Sequence, residues 1–145
     1  MNATVLVLNG PNLNRLGTRE PEIYGSTTFA ELTEFCERHA QIHALKADVR
    51  QTNSEAELIG WLHEAADAKV PVVLNPAAFT HYSYALRDAC AMLTAPLIEV
   101  HISNPAAREE FRHTSVISGV ATGTITGFGM DSYRLAIEQI ARLNG

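Results

Sequence analysis

The chain has 145 residues, 46% hydrophobic and 19% charged, which reads as one globular domain able to bury roughly two-thirds of its unfolded surface without disulfides or a structural metal. Eleven Lys and Arg against sixteen Asp and Glu give a formal charge of −5, which argues against nucleic acid and anionic membranes as partners. The first basic residue is Arg15 and no apolar run approaches the about eighteen residues of a membrane span, so neither a signal peptide nor a membrane anchor is expected and the expected location is cytoplasmic.

In chain order, residues 4–9 (TVLVLN) are β-branched and apolar and stop at Gly10-Pro11-Asn12, which predicts a buried strand feeding a turn. A polar stretch follows to Gly25. Thr28 and Glu31 then form a capping box, and Phe29, Leu32, Phe35, Cys36 and Ala40 recur at helical spacing to about His43. Residues 45–51 alternate as an edge strand would, and Ser54 with Glu57 opens a second helix carrying Leu58, Leu62 and Ala65. Residues 71–74 predict a third, fully apolar strand, 83–93 a third helix, and 97–102 a fourth strand. Asn104-Pro105 reads as an N-cap with proline at the first helical position. A strand at 123–127 and a helix at 131–143 complete the chain.

Five strands alternating with helices predict an α/β, flavodoxin-like three-layer sandwich with a five-stranded parallel sheet in the order 2-1-3-4-5. In such sheets ligands sit at the carboxyl ends of the strands, near the switch point between strands one and three. The polar residues follow that rule: Asn9 and Asn12 after strand one, Asn75 and His81 after strand three, His101 and Ser103 closing strand four. No GxxxxGK[ST] loop, GxGxxG turn or GxSxG elbow is present, and strand one lacks the aspartate cluster of a receiver domain. The two cysteines, Cys36 and Cys90, fall on apolar helix faces and read as buried free thiols, with no metal-ligand spacing nearby.

Strand four carries the most chemistry. Glu99, His101 and Ser103 alternate on one face while Ile98, Val100 and Ile102 take the other. A charged pair on a central strand is costly unless satisfied or used, and a carboxylate beside a histidine fixes its tautomer and favours its protonated form, as a general acid requires. Residues 15–25 hold two arginines, Tyr24 and glycines toward both ends, the composition of a lid that carries chemistry. Arg19 or Arg108 beside Tyr24 would favour its phenolate. With only Lys46 and Lys69 in the chain, few groups could form a Schiff base.

Along nearly its whole length the chain resembles type II 3-dehydroquinate dehydratase. The matching blocks are Asn9-Gly-Pro-Asn-Leu-Asn14, Gly17-Thr-Arg-Glu-Pro-Glu-Ile-Tyr-Gly25, Arg50-Gln51, Asn75-Pro-Ala-Ala78, Thr80-His81, Ala85-Leu-Arg-Asp-Ala89, Ile98-Glu-Val-His-Ile-Ser-Asn-Pro105, Arg108-Glu-Glu-Phe-Arg112 and Ala121-Thr-Gly123. The resemblance implies a single catalytic domain over 1–145, a hydro-lyase of the shikimate pathway and aromatic amino acid biosynthesis. It would reversibly dehydrate 3-dehydroquinate to 3-dehydroshikimate through an enolate, without metal or cofactor. It implies Tyr24 as the base, Arg19 as its phenolate partner in the lid, Arg108 as a possible sharer of that role, His101 oriented by Glu99 as the acid, and Asn12 holding a water on the enolate oxygen. The substrate carboxylate would meet Ser103 and the amides of Ile102 and Ser103, just before a helix start whose dipole favours an anion. Asn75, His81 and Arg112 would bind ring hydroxyls. Asp88 would reach into the neighbouring site of a homododecamer built from trimers. Arg15, Phe79, Tyr82, Tyr84, Ala106, Thr114 and Val116 depart from the family's commonest pattern without replacing a proposed catalytic group.

Two other readings use the same crevice: a silent module that binds a polyhydroxylated carboxylate, and a flavodoxin-like redox protein. The first would need no Tyr24, Arg19 or Glu99-His101 pair, and the second would show the yellow colour of bound flavin. Arg38, Arg50, His39, His43, His63 and His113 read as solvated or structural.

Overall fold

A computed structural model describes residues 3–18 and 20–144. Strands β1 (Ala3–Asn9), β2 (Leu45–Gln51), β3 (Val72–Asn75), β4 (Leu97–His101) and β5 (Gly123–Thr126) form one parallel sheet in the order β2-β1-β3-β4-β5. The strands and their order are those the sequence predicts. Period-two alternation then sends the strand side chains to two separate cores. Val5, Val7, Val73, Ile98 and Val100 pack against α2 (Phe29–Ile42) and α5 (Asp131–Asn144) through Leu32, Cys36, Tyr133 and Ile137. Leu6, Leu8, Val72, Leu74 and Leu97 pack against α3 (Glu55–Ala68) and α4 (Tyr84–Cys90) through Leu58, Leu62, Leu86 and Cys90. A single helical turn, α1 (Pro21–Tyr24), lies outside these layers. No described helix is long and apolar enough to cross a membrane.

Local signals set the helix starts. The Thr28 hydroxyl accepts from the Glu31 amide at 3.2 Å while a Glu31 carboxylate oxygen accepts from the Thr28 amide at 3.2 Å, closing the capping box. Ser54 and Ser83 accept from the Glu57 and Leu86 amides in the same way. Both cysteines are buried and free, and burial pushes each thiol up to about 12, so neither is a nucleophile near neutral pH.

Two expectations need correction. The helix expected over 83–93 stops at Cys90, because the amides of Met92 and Leu93 bond back three residues to Ala89 and Cys90, a tightened last turn that lets the chain swing into Pro96 and β4. The helix expected from Asn104-Pro105 is only a three-residue 3-10 turn, Pro105–Ala107, followed by a second short turn at Glu110–Arg112. Asn104 does cap, its Oδ1 accepting from the Ala106 amide at 3.2 Å. The following residues are charged apart from Phe111, which is 59% exposed, so no apolar face exists to hold a longer helix. No helix dipole therefore points at Ser103.

The switch point opens where the sheet order reverses between β1 and β3. Asn9 pairs in register with Asn75, and the Gly10 amide bonds the Asn75 carbonyl at 2.8 Å. A Cβ on Gly10 would stand 2.7 Å from the Pro76 carbonyl oxygen, so only glycine lets the two strand ends approach this closely.

Candidate active site

Beyond the carboxyl ends of β1, β3 and β4 lies a crevice of about 180 Å³ lined by Asn12, Tyr24, Asn75, His81, His101, Ile102, Ser103, Arg108 and Arg112, with Pro11, Leu13, Ala77, Ala78 and Pro105. Sequence reasoning singled out every polar member of this set. A larger cavity of about 580 Å³ adjoins it behind Tyr24 and Arg108, walled mainly by apolar residues such as Leu16, Leu32 and Met130. The smaller crevice brings Tyr24 and Arg108 together with His101.

On one wall, β4 presents Glu99 and His101 from the same face of the strand. Glu99 is buried to 1% exposure and His101 to 9%. The imidazole Nε2 lies 2.6 Å from Glu99 Oε2, which leaves Nδ1 as the ring nitrogen for the crevice. Three hydroxyls also reach the carboxylate: Thr80 at 2.5 Å, Ser118 at 2.7 Å, and Ser115 at 3.0 and 3.1 Å. Burial pushes the Glu99 carboxyl up, but the hydrogen bonds from His101, Ser118 and Thr80 outweigh it and hold the group below the ordinary carboxylate value.

On the opposite wall, Tyr24 ends the α1 turn, half-buried, with Arg108 across from it. Arg108 Nη1 donates to the Tyr24 hydroxyl oxygen at 2.6 Å and lies 3.4 Å from Ser103 Oγ, while its guanidinium carbon stands 5.2 Å from the Tyr24 ring centroid. A cation donating to the phenol oxygen is the arrangement a phenolate prefers. Arg108 is itself held by the His113 ring, whose Nε2 meets the Arg108 carbonyl at 2.9 Å, and by Glu20 at 3.8 Å. His113, which reads from the sequence as solvated or structural, supports the site from behind. Arg19 lies outside the described residues.

The floor is built from β1 and β3. The Asn75 Nδ2 donates to the buried Tyr133 hydroxyl at 2.8 Å, that hydroxyl donates to Asn9 Oδ1 at 2.7 Å, and Asn75 Oδ1 accepts from the Ala77 amide at 3.1 Å. Asn75 therefore keeps one amide hydrogen for a ligand in a fixed direction. Burial raises the Tyr133 phenol well above its ordinary value, so it remains a donor. His81 Nδ1 meets the Thr114 carbonyl at 2.8 Å. Burial lowers the His81 ring, assisted by the charges of His101 and Arg112, so Nδ1 carries the hydrogen and Nε2 can accept.

Asn12 sits in a left-handed conformation at φ 71, its amide donating to Asn53 Oδ1 at 2.9 Å. The carbonyls of His101 and Ile102 accept from Gly127 and Gly129 on the β5 side. In trans peptides the amide hydrogens point the other way, so those of Ile102 and Ser103 face the β3 side, where the crevice lies. Two oriented amides and the Ser103 hydroxyl, rather than a helix dipole, are the donors that this end of β4 offers to the crevice. Asp88 is exposed on α4 and does not line this crevice.

Thr80, Ser115, Ser118 and Tyr133 are the participants that sequence reasoning missed. Tyr133 reads as an ordinary core position of an amphipathic helix. The serines lie in a loop with no periodicity, and the available signal was the demand of Glu99 itself: a carboxylate buried on a central strand needs several donors, and the stretch His113-Thr-Ser-Val-Ile-Ser118 supplies them.

The family model described as dehydroquinase class II matches residues 3–141. A 3-dehydroquinate dehydratase of Salinispora arenicola is 64% identical over 94% of this chain and 96% of its own length, and one of Mycobacterium tuberculosis is 59% identical over 94% and 93%. The crystal structure of type II dehydroquinase from Propionibacterium acnes superposes with a TM-score of 0.96 at 54% identity, covering 98% of each chain. With a family match spanning nearly the whole chain and relatives this close, the chain belongs to the class II dehydroquinases, the type II 3-dehydroquinate dehydratases, which are hydro-lyases of the shikimate pathway.

Proposed function

We propose that the chain dehydrates 3-dehydroquinate to 3-dehydroshikimate by proton removal next to the ketone, an enolate intermediate, and acid-assisted loss of the hydroxyl. Tyr24, as phenolate, takes the proton, with the Arg108 guanidinium at its oxygen and Arg19 as the second cation of the lid. The electron pair moves onto the ketone oxygen, where Asn12 holds a water that donates to the developing charge. His101 in its imidazolium form gives the Nδ1 proton to the departing hydroxyl, which leaves as water, while Glu99 keeps the ring oriented and its positive charge balanced. The base has then gained a proton and the acid has lost one, so solvent returns a proton from Tyr24 to His101 before the next turnover.

The substrate carboxylate meets Ser103 and the amides of Ile102 and Ser103, and Asn75, His81 and Arg112 take the ring hydroxyls. The observation that carries the reading is the placing of a guanidinium-tyrosine pair and a carboxylate-histidine pair on one crevice of about 180 Å³. A binding module would need neither pair. Purified protein mixed with 3-dehydroquinate produces the ultraviolet absorption of a conjugated enone; an unchanged spectrum refutes the reading.

The exposed Asp88 on α4 completes a neighbouring subunit's site within trimers that build a dodecamer, in the cytoplasm. Sedimentation detects a species far heavier than 15.8 kDa, and dissociation to monomers removes activity before helical circular dichroism is lost. A fully active monomer ends the shared-site idea.

A further inference from the structure

We propose that Thr80, Ser115 and Ser118 form a hydroxyl cradle that keeps Glu99 a carboxylate and holds the pair's proton on His101, making the three hydroxyls positioning residues for the acid step. The inference deepens the reaction proposed above and rests on the acid role given there to His101.

A carboxylate accepts about four hydrogen bonds, and Glu99 has His101 Nε2, Thr80, Ser115 and Ser118 around its two oxygens. Ser115 Oγ also accepts from the amides of Ile117 at 3.1 Å and Ser118 at 3.0 Å, so both of its lone pairs are taken. Its single hydrogen must point at Glu99 or at Thr80 Oγ1, 2.7 Å away. Either way the run of donors ends on the carboxylate. A proton on Glu99 would lie on Oε2 toward His101 Nε2 and leave Thr80, Ser115 and Ser118 donating to a neutral carboxyl, a weaker acceptor than the carboxylate, so the three hydroxyls favour the proton on His101.

The loop is anchored against such rearrangement. The Val116 amide donates to the Thr80 carbonyl at 2.7 Å, and Arg87 Nη1 donates to the Val116 carbonyl at 2.7 Å. Thr80 and His101 share one oxygen, Oε2. The cradle therefore draws on the same charge that holds the imidazolium: it fixes the tautomer and at the same time limits how tightly the acid keeps its proton. The other ionisable groups facing the pair are His81, Cys90, Arg112 and His113, with Tyr24 and Arg108 across the crevice. None of them is altered by the substitutions below.

The test compares Thr80→Val and Ser118→Ala with the unaltered enzyme in its native assembly. With one donor fewer, more charge stays on the carboxylate and the imidazolium is favoured, so the acid persists to higher pH. The alkaline limb of the kcat/KM profile, and the His101 ring titration followed by 15N resonances without substrate, each move up by about 0.5 to 1 pH unit. Ser118→Thr, which retains a donor, keeps the original profile. A lower kcat with an unmoved or downward-moved titration overturns the proposal, since a merely structural cradle would give that result. Should Thr80→Val fail to fold, the half-buried Ser118 carries the test. If the unaltered enzyme does not turn over 3-dehydroquinate, the reaction assignment fails while the substrate-free titration still reads the cradle.

Discussion

Replacing Tyr133 by Phe deletes one oxygen at the centre of the α5 core and tests how the floor of the crevice is held. The ring is fully buried and its packing survives the substitution, so the loss is confined to hydrogen bonding. The hydroxyl bridges Asn9 Oδ1 at 2.7 Å and Asn75 Nδ2 at 2.8 Å, and both asparagines are buried. Phe leaves an acceptor and a donor unpaired, at about 1–3 kcal/mol each, so stability falls by roughly 2–6 kcal/mol. For a chain of this length that corresponds to about 5–20 °C in Tm. Urea unfolding at fixed protomer concentration measures it as a lower midpoint with an unchanged slope. Asn75 also loses the bond that aims its remaining amide hydrogen, so KM rises more than kcat falls. A loss of stability under about 0.5 kcal/mol would refute the reasoning, because it would mean that the two asparagines find other partners at little cost.

Tyr24→Phe removes the base but no carboxylate or hydroxyl contact, so turnover is nearly abolished while substrate affinity stays within about tenfold; steady-state kinetics and direct binding decide it. His101→Ala slows loss of the hydroxyl more than proton removal, so exchange of the substrate's α-proton with solvent deuterium outruns product formation, and a variant that leaves both rates untouched disproves the acid role. Gly10→Ala drives a Cβ to 2.7 Å from the Pro76 carbonyl oxygen, separating the β1 and β3 ends at a cost of about 1–3 kcal/mol and raising KM. Unaltered stability and KM would show that the strand ends have room to part.

The sheet was legible in the sequence because β1 and β3 are short apolar runs bounded by turn residues, β2 alternates, and α2, α3 and α4 each start at a Ser or Thr cap. Thr28 with Glu31 and Ser54 before Glu57 mark helix starts to the residue. Asn104-Pro105 carries an equally good start signal and makes only three residues of 3-10 turn, since a cap cannot sustain a helix with no apolar stripe to bury. The α1 turn is too short for any periodicity to register, and only Pro21 marks it. Within the site, polar residues at strand ends were legible from topology. The hydroxyls that serve Glu99 were not, because Thr80, Ser115 and Ser118 come from irregular segments and reach the carboxylate from 16 to 19 positions away in the chain.

The two walls of the crevice differ in how they are held, and the difference bears on how the steps are ordered. Glu99 and His101 stand on a central strand, with the carboxylate's donors drawn from pinned backbone, so the pair is fixed before any ligand arrives. Tyr24 stands on a single turn, its ring packed at the edge of the α2/α5 core and its hydroxyl accepting from Arg108. Arg108 Nη1 faces Ser103 as well, at 3.4 Å. A substrate carboxylate seated at Ser103 would bring its negative charge against the same guanidinium that holds the phenol oxygen, so ligand binding and base positioning converge on one cation. A truncated ligand without the carboxylate would lose that shared anchor, and its slower proton removal would appear in kcat as well as in KM.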